Sequence, residues 1–367
     1  MSLELRCTQI PSSYTTLEFR NLFHVPISHL KVNIELRMAL QVFPDISKKV
    51  SLSDGTNYAY IRIPAVDSTK PTFLLLHGFP SSSYDWRHIV LELRERGYGV
   101  IAPDLLGYGD TDKPVEVAEY SFKRMGNDVA ELIHIENLDK VIGVGHDWGA
   151  GLLSAVALLH PHIFSGLVFM GGGYVVPGII DIDAMNSFTE QIFGYPTFGY
   201  WKFFNEDSAA DVLDANPASI TSLLYPTVPE DWKATMGPYG AAKSFVNSGR
   251  VTPLPVWLSE GEARTRNTIF EKGGYTGPLN WYKSAMRGID IPWKTSSLAA
   301  DDQKSLDIPT VLVPGEHDYV CRLELQKPIA EKFLRNYRIE QFQCGHWIQH
   351  EKRDELVKLL EEFSGSL

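Results

Sequence analysis

Basic charge, cysteine and long apolar runs are all scarce in this sequence, and each scarcity removes a class of function. Lysine and arginine number 34 against 45 acidic residues, giving a formal net charge of −11 and an isoelectric point near 5.5. Such a chain repels phosphate backbones and anionic headgroups, and no basic run interleaved with aromatics offsets this, so nucleic acid is not expected as a partner. The three cysteines, Cys7, Cys321 and Cys344, are widely spaced and odd in number. They form no C-x-x-C pair, so neither a metal site nor a redox dithiol is expected, and a reducing compartment fits them best. No apolar stretch is long enough to span a bilayer, and the opening "MSLELRCTQIPSSYTTLEF" has charges where a signal peptide needs a continuous apolar core. The expectation is a soluble cytoplasmic protein without membrane insertion. Internal repeats and low-complexity tracts are absent as well.

What remains is a chain of 367 residues, longer than one compact domain usually needs, which suits a core carrying one sizeable insertion. From residue 47 strand and helix signals alternate. "VSL", "YAYIRI", "TFLLLH" (Thr72 to His77), "YGVIAPD" (Tyr98 to Asp104) and "GLVFMGG" (Gly166 to Gly172) read as strands. Between them, Trp86, Ile89, Val90 and Leu93 form one helix face ending at Gly97, and Phe122, Met125, Val129 and Leu132 form another. This rhythm predicts a mainly parallel sheet with helices on both faces, an α/β fold. It breaks from about Tyr174 to Trp293, where aromatic and proline-punctuated segments such as "FGYPTFGYWKFF" and "GGYTGPLNWYKS" suggest a helical insertion. It resumes with "IPTVLVPG", a helix around Leu323 to Leu334, the short strand "RIEQF" and a last helix. The expected division is an extension over 1–46, core over 47–174, a helical cap over 175–298 and core again over 299–367. In the extension, "LKVNIELRMAL" has the pattern of an amphipathic helix, with no readable function.

Within the core, "VIGVGHDWGAG" (Val141 to Gly151) sets Asp147 in a G-x-D-x-G frame between a short apolar strand and an apolar helix stopped by His160-Pro161. A sharp strand-to-helix turn of this kind presents a nucleophile, although an aspartate there could also merely cap the helix. A carboxylate nucleophile needs a base that later activates water, and His346 in "QCGHWIQH" follows the last predicted strand. An acid must orient that imidazole. Asp318 in "VPGEHDYV" is the first choice and Glu316 the second. The order Asp147, Asp318, His346 is that expected of such a sheet. "HGFP" (His77 to Pro80) follows the early buried strand, so the Phe79 and Trp148 amides are the expected oxyanion donors. Turning the Phe79 amide toward Asp147 predicts a cis Phe79–Pro80 peptide.

These motifs, "HGFP", "DLLGYGDTDKP", "GHDWGA", "GEHDYV" and "CGHW" in that order, resemble an epoxide hydrolase of the α/β-hydrolase fold over roughly residues 47 to 367. The resemblance implies two cap tyrosines that donate to the epoxide oxygen. "GPLNWYKS" nominates Tyr282, and "GYWKFFNED" nominates Tyr200, with Tyr195 in "FGYPTF" as its rival. It also implies a small apolar epoxide and water as reaction partners, no cofactor, and a substrate pocket that includes Phe79, Trp148 and Trp347; a homodimer is left open. Aspartate near ~4, tyrosine near ~10 and histidine near ~6.5 would each start in its working protonation state without tuning. Opening an epoxide to a vicinal diol through an aspartyl ester is the expected reaction. Serine at the elbow would give an ether that water and histidine cannot cleave. A hydrolytic dehalogenase uses the same elbow, but haloalkane-cleaving relatives carry a polar residue where Phe79 stands, haloacetate-cleaving ones favour arginine at Trp148, and neither gives the cap tyrosines a role. A catalytically silent receptor would need no nucleophile, base, acid and donors together.

Overall fold

The computed structural model describes residues 42–176, 180–291, 293, 300 and 302–367. Cys7 and the candidate helix "LKVNIELRMAL" lie outside them.

Eight strands form one sheet: β1 (Ser47–Ser51), β2 (Asn57–Ile63), β3 (Thr72–Leu76), β4 (Gly99–Pro103), β5 (Val141–His146), β6 (Phe164–Met170), β7 (Thr310–Val313) and β8 (Tyr337–Ile339). Their spatial order is β1-β2-β4-β3-β5-β6-β7-β8. The β1–β2 and β2–β4 pairs are antiparallel and the others parallel. Strands β3 to β7 are buried on both sides, which is why they read as unbroken apolar runs, whereas β8 at the edge is partly exposed. Side chains of β3 alternate between the faces: Leu74 and Leu76 enter one apolar cluster, Phe73 and Leu75 the other. Helices α1 (Arg87–Glu95) and α14 (Arg353–Ser364) cover the second face through Ile89, Leu93, Leu356, Leu360 and Phe363. Helices α2 (Phe122–Ile135) and α3 (Trp148–Leu159) cover the first through Met125, Val129, Leu152 and Val156. Each such side chain, taken fully from water, stabilises the fold by about 1.5–3 kcal/mol.

Between β6 and β7 the chain leaves the sheet. The described residues there include seven α-helices: α4 (Ile182–Phe193), α5 (Tyr200–Phe204), α6 (Ala209–Asp214), α7 (Pro217–Leu224), α8 (Trp232–Thr235), α9 (Ala241–Asn247) and α10 (Glu260–Gly273). An eighth, α11 (Thr276–Met286), brings the chain back over the sheet, and α12 (Leu323–Phe333) and α13 (Ile348–Glu351) belong to the returning core segment. The inserted helices attach to the core by few but well-defined polar contacts. Glu262 on α10 accepts from Arg87 Nε and pairs with His88 Nε2, both at 2.8 Å, and Trp281 Nε1 on α11 donates to the Leu106 carbonyl at 2.9 Å. Asp290 accepts from the Phe122 amide at the N-terminus of α2. Among the described residues no helix is long and apolar enough to cross a membrane.

Candidate active site

The site forms where β3, β5, β7 and β8 end. Asp147 follows β5 directly at φ 54°, ψ −120°, a backbone conformation that non-glycine residues rarely adopt. Its amide donates to the Met170 carbonyl at 3.1 Å, so the end of β6 holds the turn. The turn is also tight: a Cβ at Gly149 would collide with the Leu76 carbonyl oxygen, and one at Gly78 with Asp147 Oδ1. The Asp147 carboxylate does not cap α3. Its Oδ1 accepts instead from the Phe79 amide at 2.8 Å. The peptide between Phe79 and Pro80 is cis.

The loop that presents Phe79 is braced by its neighbours. The Leu105 amide donates to His77 Nε2 at 3.0 Å, which leaves Nδ1 as the protonated nitrogen facing the Gly78 carbonyl. Asp104, which opens "DLLGYGDTDKP", accepts from the Ser83 and Asp110 amides, both at 2.8 Å, and so ties the two loops after β3 and β4 together.

Asp318 and His346 meet because the loops after β7 and β8 are zipped to one another. The Glu316 amide donates to the Phe342 carbonyl at 2.8 Å and the His317 amide to the Cys344 carbonyl at 2.9 Å. Asp318 Oδ1 then accepts from the Val320 and Cys321 amides, both at 2.9 Å, and Oδ2 from His346 Nδ1 at 2.7 Å. With Nδ1 donating, His346 turns Nε2 toward Asp147 Oδ2 at 3.8 Å. Glu316, the second choice of acid, is exposed and paired with Gln343.

Electrostatics departs from the expectation that no tuning is needed. Burial holds Asp147 above the usual carboxylate range, with the His346 charge and the Phe79 and Trp148 amides pulling the other way. Burial would also raise Asp318, but the charge and hydrogen bond of His346 and two backbone amides outweigh it and keep Asp318 low. For His346 burial disfavours the cation, yet Asp318 and then Asp147 overcome it and raise the imidazole above its ordinary value. Flanked by two carboxylates, the resting imidazole is held toward its charged form. Burial, then the Asp147 charge for Tyr200 and the Tyr200 and Asp147 charges for Tyr282, push both phenols well up, so both are hydroxyl donors.

Tyr200, the first residue of α5, and Tyr282 on α11 line one small cavity with Phe79, Asp147, His346 and Trp347. Its volume, about 20 Å³, suits a single water. Tyr195 is elsewhere: its hydroxyl donates to the Tyr319 carbonyl at 2.9 Å. The Trp148 indole packs between Phe122, Trp201 and Tyr282, with centroids at 5.8, 5.1 and 4.9 Å, and is not among the residues that line this small cavity. An aromatic ring directly after the elbow is drawn into the aromatic packing of α5 and α11.

Several residues of the site carry no motif. Leu224, Trp232, Met236 and Val320 complete the cavity wall. The proline-rich "LLYPTVPEDW" marks Leu224 and Trp232 as unusual without indicating where they point. His146 is the unread position of the elbow frame. Its Nε2 bonds to the His346 carbonyl at 2.9 Å, and burial first, then the His346 charge, push it down to about 3. It is a neutral strut between the strand that ends at Asp147 and the loop of His346.

The pattern of the α/β-hydrolase fold matches residues 71–353. Among known proteins, epoxide hydrolase A of Mycobacterium tuberculosis is 30% identical over 320 residues, covering 84% of this chain and 95% of its own length. Bifunctional epoxide hydrolase 2 of Rattus norvegicus is 29% identical over 79% of this chain and 51% of its own length. Among solved structures, epoxide hydrolase A from Mycobacterium thermoresistibile superposes with a TM-score of 0.70 at 27% identity, covering 86% of this chain and 97% of that one. An epoxide hydrolase from an endophytic Streptomyces does so with a TM-score of 0.73 at 26% identity, covering 86% and 94%. The chain belongs to the α/β-hydrolase fold family and, within it, to the epoxide hydrolases.

Proposed function

We propose that the protein opens a small apolar epoxide to a vicinal diol in two half-reactions on Asp147. In the first, Oδ2 attacks a ring carbon, the carbon–oxygen bond breaks, and the ring oxygen leaves toward Tyr200 and Tyr282, taking the proton of one of them and leaving it as tyrosinate. Oδ1 stays on the Phe79 amide and becomes the carbonyl oxygen of the ester. Forming the ester removes the Asp147 charge, and with it part of what raises the His346 imidazole above its ordinary value. The base is thus freed at the step that needs it. In the second half-reaction His346, oriented by Asp318, takes a proton from water, which attacks the Asp147 carbonyl carbon. The Phe79 and Trp148 amides stabilise the tetrahedral oxyanion, the acyl bond to the diol oxygen breaks as that oxygen takes the proton held by His346, and the new Asp147 carboxyl returns its proton to the tyrosinate, which restores the carboxylate.

The observation that carries this reading is the division of labour on one carboxylate: Oδ1 on an amide at 2.8 Å and Oδ2 facing His346 Nε2 at 3.8 Å, in a cavity shared with two tyrosines. In this reading residues 47–174 and 299–367 are the catalytic core, 175–298 the cap that supplies the tyrosines, and 1–46 an extension. Since the cavity holds about one water, an epoxide enters only when part of the cap moves. The two described cysteines, Cys321 and Cys344, are free, which supports a reducing, cytoplasmic setting.

Isotope transfer tests the reading. In heavy-oxygen water with enzyme in excess, the first-turnover diol should be mostly unlabelled and a peptide containing Asp147 should gain the label. Labelled diol in that turnover means that water attacks the epoxide directly. Halide release from haloalkanes without diol formation from aryl, alkyl or fatty epoxides would replace the reading with a dehalogenase.

A further inference from the structure

Glu351, the last residue of α13, takes no part in the steps above. Its side chain folds back over its own turn, so that Oε2 accepts from the Gly345 amide at 2.8 Å and Oε1 from the Trp347 amide at 3.1 Å. These two amides flank His346, and a single carboxylate therefore spans the peptide units on both sides of the base. The fit is close: a Cβ at Gly345 would lie 3.0 Å from Oε1 and 3.2 Å from Pro229 Cγ. Glu351, Thr227, Trp232 and His346 also line a groove of about 210 Å³ between the core and the cap loops. His346, Trp232 and Trp347 thus line both the Asp147 cavity and this groove, and Glu351 is the one carboxylate among the described residues that line the groove.

We propose that Glu351 is a positioning residue for ester hydrolysis, locking the backbone of the His346 loop and facing the imidazolium with a carboxylate after Asp147 has been esterified. The inference rests on the covalent-ester reading. Three carboxylates surround His346: Asp318 by a direct bond, Asp147 at 3.8 Å, and Glu351 through the strap. Esterification neutralises Asp147, and the following step builds positive charge on His346 as it takes the proton of water. Asp318 and Glu351 are then the carboxylates left to meet that charge. Burial holds Glu351 above the usual carboxylate range even against the pull of the two amides and of His346. Attack on the epoxide uses Asp147 and the tyrosines and makes no demand on where Nε2 sits.

Glu351→Gln and Glu351→Ala separate this role from a merely structural one. With styrene oxide as probe, rapid quench and intact mass would follow ester formation and ester decay separately in a single turnover. Formation should stay within about twofold of wild type in both variants, since neither alters Asp147 or the tyrosines. Decay should slow by roughly 10-fold in Glu351→Gln, which keeps one acceptor for the two amides, and by roughly 100-fold in Glu351→Ala, where the base is free to shift by about 1 Å. Unchanged decay in the Gln and Ala variants, or formation and decay falling together, would overturn the proposal. Glu351→Gln is close to isosteric and carries the test alone if the alanine variant does not fold. A His346→Gln control keeps the two ideas apart. A stable adduct there with normal decay in both Glu351 variants removes only the strap, whereas no adduct there removes the ester reading as well.

Discussion

Asp147, Asp318 and His346 leave the ends of parallel strands, and backbone hydrogen bonds fix them: to Phe79, to Val320 and Cys321, and through the zipped loops after β7 and β8. Tyr200 and Tyr282 sit on helices of the insertion, and ring contacts fix them. Tyr282 meets Phe79 at 5.1 Å, Trp148 at 4.9 Å, Trp201 at 5.1 Å and Phe204 at 5.1 Å, mostly edge to face. A hydrogen-bonded turn has one geometry, whereas a cluster of rings has neighbouring packings of similar energy, each contact worth about 0.5–1.5 kcal/mol beyond burial. In the proposed reaction the strand half would therefore hold Asp147, Asp318 and His346 in one geometry while the helical half has the freedom to repack around a substrate.

The largest expected effects come from the strand half and differ in kind. Asp147→Ala should abolish both adduct and diol, a loss of roughly 10⁵-fold or more, whereas His346→Gln should leave alkylation standing and slow ester decay by roughly 10³- to 10⁴-fold. Intact mass should show the His346 variant heavier by one epoxide, and Asp147→Ala in that background should remove the addition. Tyrosine replacements come next. Tyr200→Phe or Tyr282→Phe should slow ester formation by roughly 100-fold and spare ester decay, with the double variant far worse. Tyr195→Phe should be silent, and a crippled Tyr195 variant beside an active Tyr200 variant would reverse the assignment of the first donor. If either tyrosine variant lost as much as Asp147→Ala, the contrast between the two halves would fail.

A pH measurement sharpens the strand half further. The folded value of Asp318 is depressed, so its contribution to stability is present above the unfolded value, near ~4, and is lost as pH falls through the folded one. Asp318→Asn should accordingly destabilise the protein more at neutral pH than in acid, and urea melts at two pH values would read the difference. An equal loss at both would place the cost in shape, not in charge. The smallest effect belongs to the attachment of the helices. Glu262→Gln loses the charge that faces Arg87 and His88 and should cost about 1–3 kcal/mol of stability by thermal or urea denaturation, leaving the alkylation chemistry in place.

The same contrast decides what could be read from the sequence. That Asp147, Asp318 and His346 come together was legible because a strand end followed by glycine or by a charged residue in an apolar context has few structural alternatives. Predicted strands such as Thr72 to His77 and Tyr98 to Asp104 fall within a residue or so of β3 and β4, since burial on both faces leaves an unbroken apolar signature. The insertion was legible as a loss of rhythm and through its tyrosine motifs, but not as a surface. The packing of the Trp148 indole against Trp201 and Tyr282 could not be read, because ring packing between distant helices leaves no periodic trace. His146 and Glu351 were missed for a related reason: both act on the backbone of the His346 loop, and a side chain that bonds to backbone amides or carbonyls imposes no pattern on the residues it serves.

β6 pairs with β7 from Leu167 opposite Thr310 to Met170 opposite Val313, although the whole insertion lies between them in the chain. Seen as an order of synthesis, the nucleophile leaves the ribosome first, then both tyrosines, and the acid and base last. Until β7 docks, β6 is an open strand edge, and closing so long a loop is slow. The end of β6 serves both events, because Met170 holds the Asp147 turn and the Gly171 amide bonds to the Val313 carbonyl at 3.4 Å. Docking of the last segment should thus order the Asp147 turn as it brings Asp318 and His346 to it. During refolding, epoxide alkylation of Asp147 is expected to appear together with hydrogen-exchange protection of the β6–β7 amides, and an adduct formed before that protection would contradict this order.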